Sequence, residues 1–317
     1  MLDRLLSLSD IKNDSMFLWG PRQTGKSTLL KQMFPQVPYY DMLKSDVYTQ
    51  YKLKPSLLRD ECMMLEEGSL VIIDEIQKIP ALLDEVHWLM TNRDIRFILC
   101  GSSARKLKRS GANLLGGRAI RKVLHPLVSA EIPDFDLDKA VNQGMLPRHY
   151  LIDNPQKRLQ AYIGDYLQQE IIAEALVRNL DSFTRFLEVA ALSDSEMVNY
   201  TRIASDCGVS SKTVKEYYTI LEETLVGMFM PAYSKVITRK AQVAPKLYFF
   251  DLGITNYLPH RNNLKRGTAE YGHAFEHLII QELAAYLDYT ESEKKLSFWH
   301  TLNNAYEVDA IIGDAEV

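Results

Sequence analysis

Cysteine is scarce. The 317 residues hold three, Cys62, Cys100 and Cys207, far apart and odd in number, which argues against a disulfide framework and against a cysteine-rich zinc site. No apolar run approaches the roughly 20 residues that a bilayer-spanning helix needs. The opening MLDRLLSLSD lacks a signal-peptide cleavage pattern, so the expectation is a cytoplasmic protein with no membrane partner. Positive charge is not in surplus either: 37 Lys and Arg against 41 Asp and Glu leave a net charge of −4. That disfavours a globally basic nucleic-acid coat and leaves room for a local basic patch. Tandem repeats and low-complexity tracts are missing. What is present is ordinary for a globular chain, 46% apolar and 25% charged, with length for about two domains.

The first 130 or so residues alternate short apolar runs with helical patterns. SMFLW (15–19), PYYDM (38–42), SLVII (69–73), IRFILC (95–100) and 119–124 read as strands, with helices expected over 25–34, 46–66 broken at Pro55, and 81–90. Such alternation implies an α/β fold, a parallel sheet with helices on both faces. From 142 to 192 the pattern is helical, interrupted by GMLPRHY (144–150), whose Gly and Pro suggest a hinge between domains. Residues 197–224 read as helix, turn, helix, the turn at Cys207-Gly208 and the second cap at Ser210 or Ser211. Strand-like 225–233 and 246–250 follow, then a helix over 272–287 and a hairpin of 295–300 with 306–312 around Asn303-Asn304.

Gly20-Pro21-Arg22-Gln23-Thr24-Gly25-Lys26-Ser27 fits G-x-x-x-x-G-K-[ST], between a strand and a helix. Two glycines let the loop turn tightly with its N–H groups aimed inward, and the helix N-terminus faces an anion with its positive end. Lys26 supplies a point charge for the β- and γ-phosphates, Ser27 a hydroxyl for Mg²⁺, and Thr28 is the next position on the helix. Val71-Ile72-Ile73-Asp74-Glu75 delivers two acids at a strand's C-terminal end, Asp74 as a Mg²⁺ ligand and Glu75 to polarise a water. Ser102, after the next strand, is a candidate sensor of the γ-phosphate, or simply a cap of the turn. Residues 95–130 hold eight bases and no acid. Arg118, after Gly116-Gly117, is the candidate arginine finger in cis or in trans, the plain alternative being a solvated basic surface. Asn92-Arg93-Asp94 does not fit a guanine-binding Asn-Lys-x-Asp loop, so ATP is the expected nucleotide.

With FLWGPRQTGKSTLL, SLVIIDEIQKIP, ILCGSSARKL followed by LLGGRA, HPLVSAEI, KLYFFDLGI, GHAFEHLIIQEL and EVDAII in order, the chain resembles prokaryotic P-loop ATPases of the AAA-14 type with a DUF4143 C-terminal region. The resemblance implies an AAA-like ATPase core, a winged-helix region and a C-terminal segment similar to restriction-endonuclease folds. The expected domains are then 1–135 (P-loop ATPase core), 136–192 (helical lid or linker), 193–250 (winged helix) and 251–317 (partial α+β endonuclease-like segment). Cys100 departs from the family pattern, where Thr is common, and leaves the sensor assignment open.

A winged helix brings DNA into view as a partner. Arg202, Lys212 and Lys215 on the helices, with Lys235, Arg239 and Lys240 on the wing, are the candidate phosphate contacts, yet residues 195–245 carry six bases against five acids, weak for phosphate neutralisation. In the tail, Glu276 and Asp309 resemble the first two acids of a PD-(D/E)xK nuclease site, but Asp314-Ala315-Glu316-Val317 offers no Lys. His273-x-x-Glu276-His277 also spells H-x-x-E-H, a zinc pattern that needs a further acid downstream. The leading expectation is an ATP-hydrolysing switch using Mg²⁺ and acting on a protein partner, with a homo-oligomer in view. The alternatives are a DNA-binding module regulated by nucleotide, an ATP-controlled nuclease disfavoured by the missing Lys, and a small-molecule kinase.

Overall fold

Runs of apolar residues, too short and too uniformly hydrophobic for a surface helix, form strands buried on both faces. The computed structural model describes residues 2–103, 105, 107, 115–167, 180–234, 243–301 and 306–314. These divide into two compact units, Arg4–His125 and a second made of Pro126 onward with the first three residues.

In the Arg4–His125 unit the order is β1 (Ser15–Trp19), α1 (Lys26–Met33), β2 (Tyr39–Asp41), α2 (Ser45–Leu53), α3 (Ser56–Cys62), β3 (Leu70–Asp74), α4 (Leu82–Arg93), β4 (Arg96–Gly101) and β5 (Ala119–Val123). The five strands pair in parallel in the order β2-β3-β4-β1-β5. Central β1, β3 and β4 are buried almost throughout, while edge β2 is short and half-buried. On the other edge, Lys122 of β5 is buried and paired with Asp10 at 2.7 Å, which compensates its charge. Because all strands run the same way, their C-terminal ends meet along one rim, where open α/β sheets place ligands.

The second unit runs α5 (Leu137–Gln143), α6 (Pro147–Tyr150), α7 (Gln156–Ala161), α8 (Leu180–Leu192), α9 (Tyr200–Cys207), α10 (Ser211–Glu223), β6 (Gly227–Met230), β7 (Lys246–Phe249), α11 (Leu252–Tyr257), α12 (Ala269–Tyr289), β8 (Leu296–His300) and β9 (Glu307–Ile312). Side-chain caps open several of these helices: Asn199 accepts from Arg202 N, Ser210 from Thr213 N and Thr268 from Tyr271 N. Gly208, in the left-handed region, ends α9. One apolar core runs from Leu146 to Leu258 and joins α8, α9, α10 and β7. The hairpin β6–β7 gains a short third partner, since Met197 bridges antiparallel to Lys246. The loop 302–305 of the expected β8–β9 hairpin lies outside the described residues. No helix among them is long and apolar enough to cross a membrane.

The hinge expected at Gly144–Tyr150 is not a boundary. Leu146, His149 and Tyr150 are buried and Pro147 opens a short helix. The Asp251 carboxylate, itself fully buried, accepts from Met145 N at 2.7 Å, Leu146 N at 2.9 Å and Gly253 N at 3.0 Å. Gly and Pro here serve a tight, anchored turn. Burial still pushes the Asp251 carboxyl up to about 6, against those donors. On α12 Ile279 is 41% exposed, whereas its neighbours Leu278 and Ile280 are buried.

His149 is fully buried with both ring nitrogens unpartnered, its ring edge-on to Tyr162. Burial holds it neutral, down at about 4 against an ordinary 6.5. The unfolded chain binds a proton there first, so stability is full above about pH 6.5 and is lost as pH falls toward 4. That gap corresponds to at most about 3 kcal/mol. His149→Phe is expected to be nearly neutral at pH 7.5 and to gain on wild type progressively down to pH 4.5, measured by urea denaturation at both values.

Candidate functional site

The loop that leaves β1 must turn sharply toward α1. A Cβ at Gly20 would lie 2.4 Å from the Leu124 carbonyl oxygen, so only glycine lets β1 pass this close to the chain leaving β5. Gly25, at φ 99°, is the N-cap of α1 and takes a conformation that other residues resist. Between them Thr24 is buried and its hydroxyl donates to Pro21 O at 2.9 Å, closing the loop on itself. Arg22 is half-buried, while Gln23 and Thr28 are exposed.

Lys26 is buried and its ammonium donates to Gly20 O at 2.6 Å and Pro21 O at 2.8 Å. Two of its three donors are thus used within the loop it serves. Burial, the largest effect, pushes this ammonium below its ordinary value, against the pull of the nearby Glu75 and Asp74 charges. A desolvated cation at a helix N-terminus is poised to gain from an incoming anion.

Ser27 reaches across to the end of β3, where its hydroxyl donates to Asp74 Oδ2 at 2.6 Å. The Tyr39 hydroxyl donates to the same oxygen at 2.5 Å. Burial, with the Asp74 charge second, drives the Tyr39 phenol far up, so it remains a donor. Asp74 is 2% exposed and its other oxygen, Oδ1, is buried without a hydrogen-bond partner. Beside it the buried Cys100 thiol is pushed well up, by burial first and the Asp74 charge second, and stays neutral. A carboxylate with one oxygen held and one orphaned, next to a serine hydroxyl, is an oxygen donor set suited to a hard divalent cation.

Glu75 follows in the left-handed region, at φ 60° and ψ 43°. Its buried carboxylate accepts from Gln77 Nε2 at 2.5 Å, and the same nitrogen donates to Ser102 Oγ at 3.2 Å. The sheet order explains the meeting. Strand β4, which ends at Gly101 just before Ser102, lies between β1 with the loop and β3 with the two acids. Lys26, Ser27, Asp74, Glu75 and Ser102 therefore come together along one rim.

Arg118 does not join them. It is exposed and directly precedes β5, and Ala119 lies opposite Ser15 in the parallel register. It therefore sits at the rim where β1 begins, a strand length of ~16 Å from the rim where β1 ends. A role as arginine finger within its own chain is excluded by that direction. Of the other bases in this stretch, Lys106, Lys108 and Arg109 lie outside the described residues.

In the second unit Glu276 and Asp309 do approach one another, around a lysine contributed by an earlier strand. Lys246 Nζ lies 3.2 Å from Glu276, 2.7 Å from Glu307 and 3.8 Å from Asp309, and Tyr248 donates to Glu276 at 2.7 Å. Burial alone would lower the Lys246 ammonium, but Glu307 and Glu276 hold it above its ordinary value. One ammonium occupies the centre of the cluster, and no group of three or more His, Cys, Asp or Glu among the described residues could hold a metal ion. The H-x-x-E-H pattern is likewise taken up in packing. Both ring nitrogens of buried His277 are engaged, by Asp194 Oδ2 at 2.6 Å and Phe249 O at 2.7 Å, while Glu276 faces Lys246.

Four participants carry no signal that the sequence reading used: Arg4, Tyr39, Gln77 and Lys246. Gln77 lies within SLVIIDEIQKIP, two residues past the acid pair, and Lys246 opens KLYFFDLGI, but neither block by itself gives these side chains a role. The Arg4 guanidinium donates to Thr24 O at 2.7 Å and His125 O at 2.8 Å, tying the loop to the chain beyond β5.

A parallel sheet with a glycine-bounded, lysine-containing loop between its first strand and first helix is the P-loop α/β fold of nucleotide-binding proteins. Residues 12–132 match the family described as AAA domain, 134–266 a domain of unknown function (DUF8612), and 271–317 a domain of unknown function (DUF4143). Residues 12–132 thus carry a P-loop domain of the AAA type and 271–317 a DUF4143 region. No curated protein matches it. Among solved structures it is similar to a signal transduction ATPase with numerous domains (STAND), bearing a tetratricopeptide repeat sensor, from Pyrococcus horikoshii. Identity is 13% over 90% of this chain and 47% of that one, with a TM-score of 0.27. This chain thus spans about half the length of that protein.

Arg4→Ala is expected to release the loop. We expect a loss of about 1–2 kcal/mol in the stability of the Arg4–His125 unit, the scale of a partly exposed charged hydrogen-bond pair, and nucleotide binding weakened about tenfold. Chemical denaturation and titration with fluorescent ATP measure the two effects.

Proposed function

We propose that this chain is a Mg²⁺-dependent ATP hydrolase that works as a molecular switch. One observation carries the reading. Ser27 and Asp74, from separate strand ends, meet at 2.6 Å with Asp74 Oδ1 buried and unpartnered, beside a buried Lys26 on the loop carbonyls. Lys26 and the N–H groups of residues 20–28 bind the phosphates. Ser27 and Asp74 hold the magnesium ion, which when bound neutralises charge on the phosphoryl oxygens. Glu75 accepts a hydrogen bond from water and orients it toward the terminal phosphorus. Ser102 senses the terminal phosphate. Arg118 is in a position to serve only a neighbouring copy, which makes a homo-oligomer part of the proposal.

A second reading has an observation behind it. Helix α8, the Met197 bridge, helices α9 and α10, and β6 and β7 follow one another in the order of a winged helix, which supports DNA as a partner. On α10, however, exposed Lys212 and Lys215 are matched by exposed Glu216 and Glu222. The wing bases Lys235, Arg239 and Lys240 lie outside the described residues. We therefore rank DNA contact second, and a nuclease lower still, because Lys246 fills the carboxylate cluster.

Lys26→Ala is expected to abolish binding of Mg·ATP, and Glu75→Gln to retain it within about twofold while turnover falls at least ~100-fold. Fluorescent-ATP titration and phosphate release measure both. Wild-type turnover by Glu75→Gln would remove Glu75 from its role. Turnover measured with duplex DNA at low and high salt separates the two readings.

A further inference from the structure

We propose that Gln77 is a positioning residue that holds the Glu75 carboxylate and the Ser102 hydroxyl as one unit, so that contact of Ser102 with the terminal phosphate of ATP is passed to the group that orients water. The inference rests on the hydrolase reading and adds to it a regulation of that site.

The three side chains come from two strand ends and the turn between them. Glu75 follows β3, Gln77 lies in the single turn Ile76–Lys78, and Ser102 follows β4. Gln77 is 3% exposed. Its Nε2 donates to both Glu75 Oε2, at 2.5 Å, and Ser102 Oγ, at 3.2 Å. The amide orientation is dictated by chemistry, since an ionised carboxylate only accepts.

That orientation has a consequence at the other end of the amide. Gln77 Oε1 is buried and has no donor, an omission that costs ~1–3 kcal/mol. A glutamine serving only to fill space or tie two strand ends would be expected to satisfy both ends. Here the nitrogen's two partners decide the pose.

The neighbouring strand is shaped to admit it. A Cβ at Gly101 would lie 2.3 Å from Gln77 Oε1 and 2.7 Å from the Trp19 ring. The residue immediately before Ser102 must be glycine for the amide to reach. Glu75 is also held at φ 60°, where a non-glycine residue is under strain of ~1–2 kcal/mol. Strain and an unmet acceptor converge on one contact, as they do where a structure is built for function. Displacing a catalytic group by about 1 Å costs on the order of 100-fold in rate, so a side chain that fixes Glu75 through Ser102 controls turnover without touching the nucleotide.

The test uses the full chain, Mg·ATP and variants at Gln77, Ser102 and Glu75. Gln77→Leu keeps the volume and removes the donor. It is expected to lower kcat by ~10–100-fold, with KM, fluorescent-ATP affinity and unfolding midpoint close to wild type. Ser102→Ala is expected to fall in kcat as well, and Gln77→Leu/Ser102→Ala to be no slower than Gln77→Leu, because both act through one contact. In a Glu75→Gln background, Gln77→Leu should cost nothing more. Should Gln77→Leu fail to fold, Gln77→Asn carries the same expectation, since it keeps an amide one methylene too short to reach both partners. Multiplicative losses in the double variant, or affinity and stability falling in step with kcat, would assign Gln77 a structural role and overturn the inference. Wild-type kcat in the Gln77 variants overturns it alone. No turnover in wild type overturns the hydrolase reading and this inference with it.

Discussion

The hydrogen bond between Ser27 and Asp74 joins two parts of the sheet that do not touch as strands. The loop follows β1 and the acids follow β3, with β4 in between. Only because all three run parallel do their ends share a rim, and only there can a hydroxyl on α1 reach a carboxylate on β3. Lys26, one residue earlier on the same helix, is fixed by the same geometry. If that contact were absent, the loop would be a glycine-containing turn and the acid pair an isolated strand end.

Both units bury polar side chains, some with partners and some without. Around the phosphate loop, Asp74 Oδ1 and Gln77 Oε1 are buried without partners, and Gln23 and Glu75 take left-handed backbone conformations. In the second unit Asp251 accepts three backbone N–H groups, His277 uses both ring nitrogens, and Lys246 meets carboxylates. Burying a polar atom without a partner is costly. In the second unit Gln143 Oε1, Ser195 Oγ, Gln281 Oε1, His300 Nε2 and both ring nitrogens of His149 are also buried without partners, and for His149 a low proton affinity is how it bears that environment.

Much of the sheet was legible because a parallel strand covered on both faces must be apolar along its length, and SMFLW, LVII and FILC are. The loop was legible because its chemistry demands fixed spacing. Contacts that join distant positions left no such trace. Arg4 clamps Thr24 from twenty residues upstream, Tyr39 reaches Asp74 from the edge strand β2, and Lys246 enters the Glu276–Asp309 cluster from β7, whereas the nuclease pattern calls for a Lys downstream that the sequence does not offer. That Arg118 stands away from the loop of its own chain was also readable in the sequence. A residue just before a parallel strand stands at the opposite rim from the loop. Gly144–Tyr150 shows the limit of composition: glycine and proline mark a sharp turn, and burial decides whether that turn is a joint or an anchor.

The lysine on β7 has one further implication. Its ammonium is countered by side chains from α12 and β9, and apart from the Tyr248 hydroxyl on Glu276 it is what offsets the repulsion among these three carboxylates. Loss of the base alone would leave three like charges crowded together, and loss of the acids would strand a cation in a dry place. Among related sequences the four positions should therefore be inherited as a set, changing together or not at all.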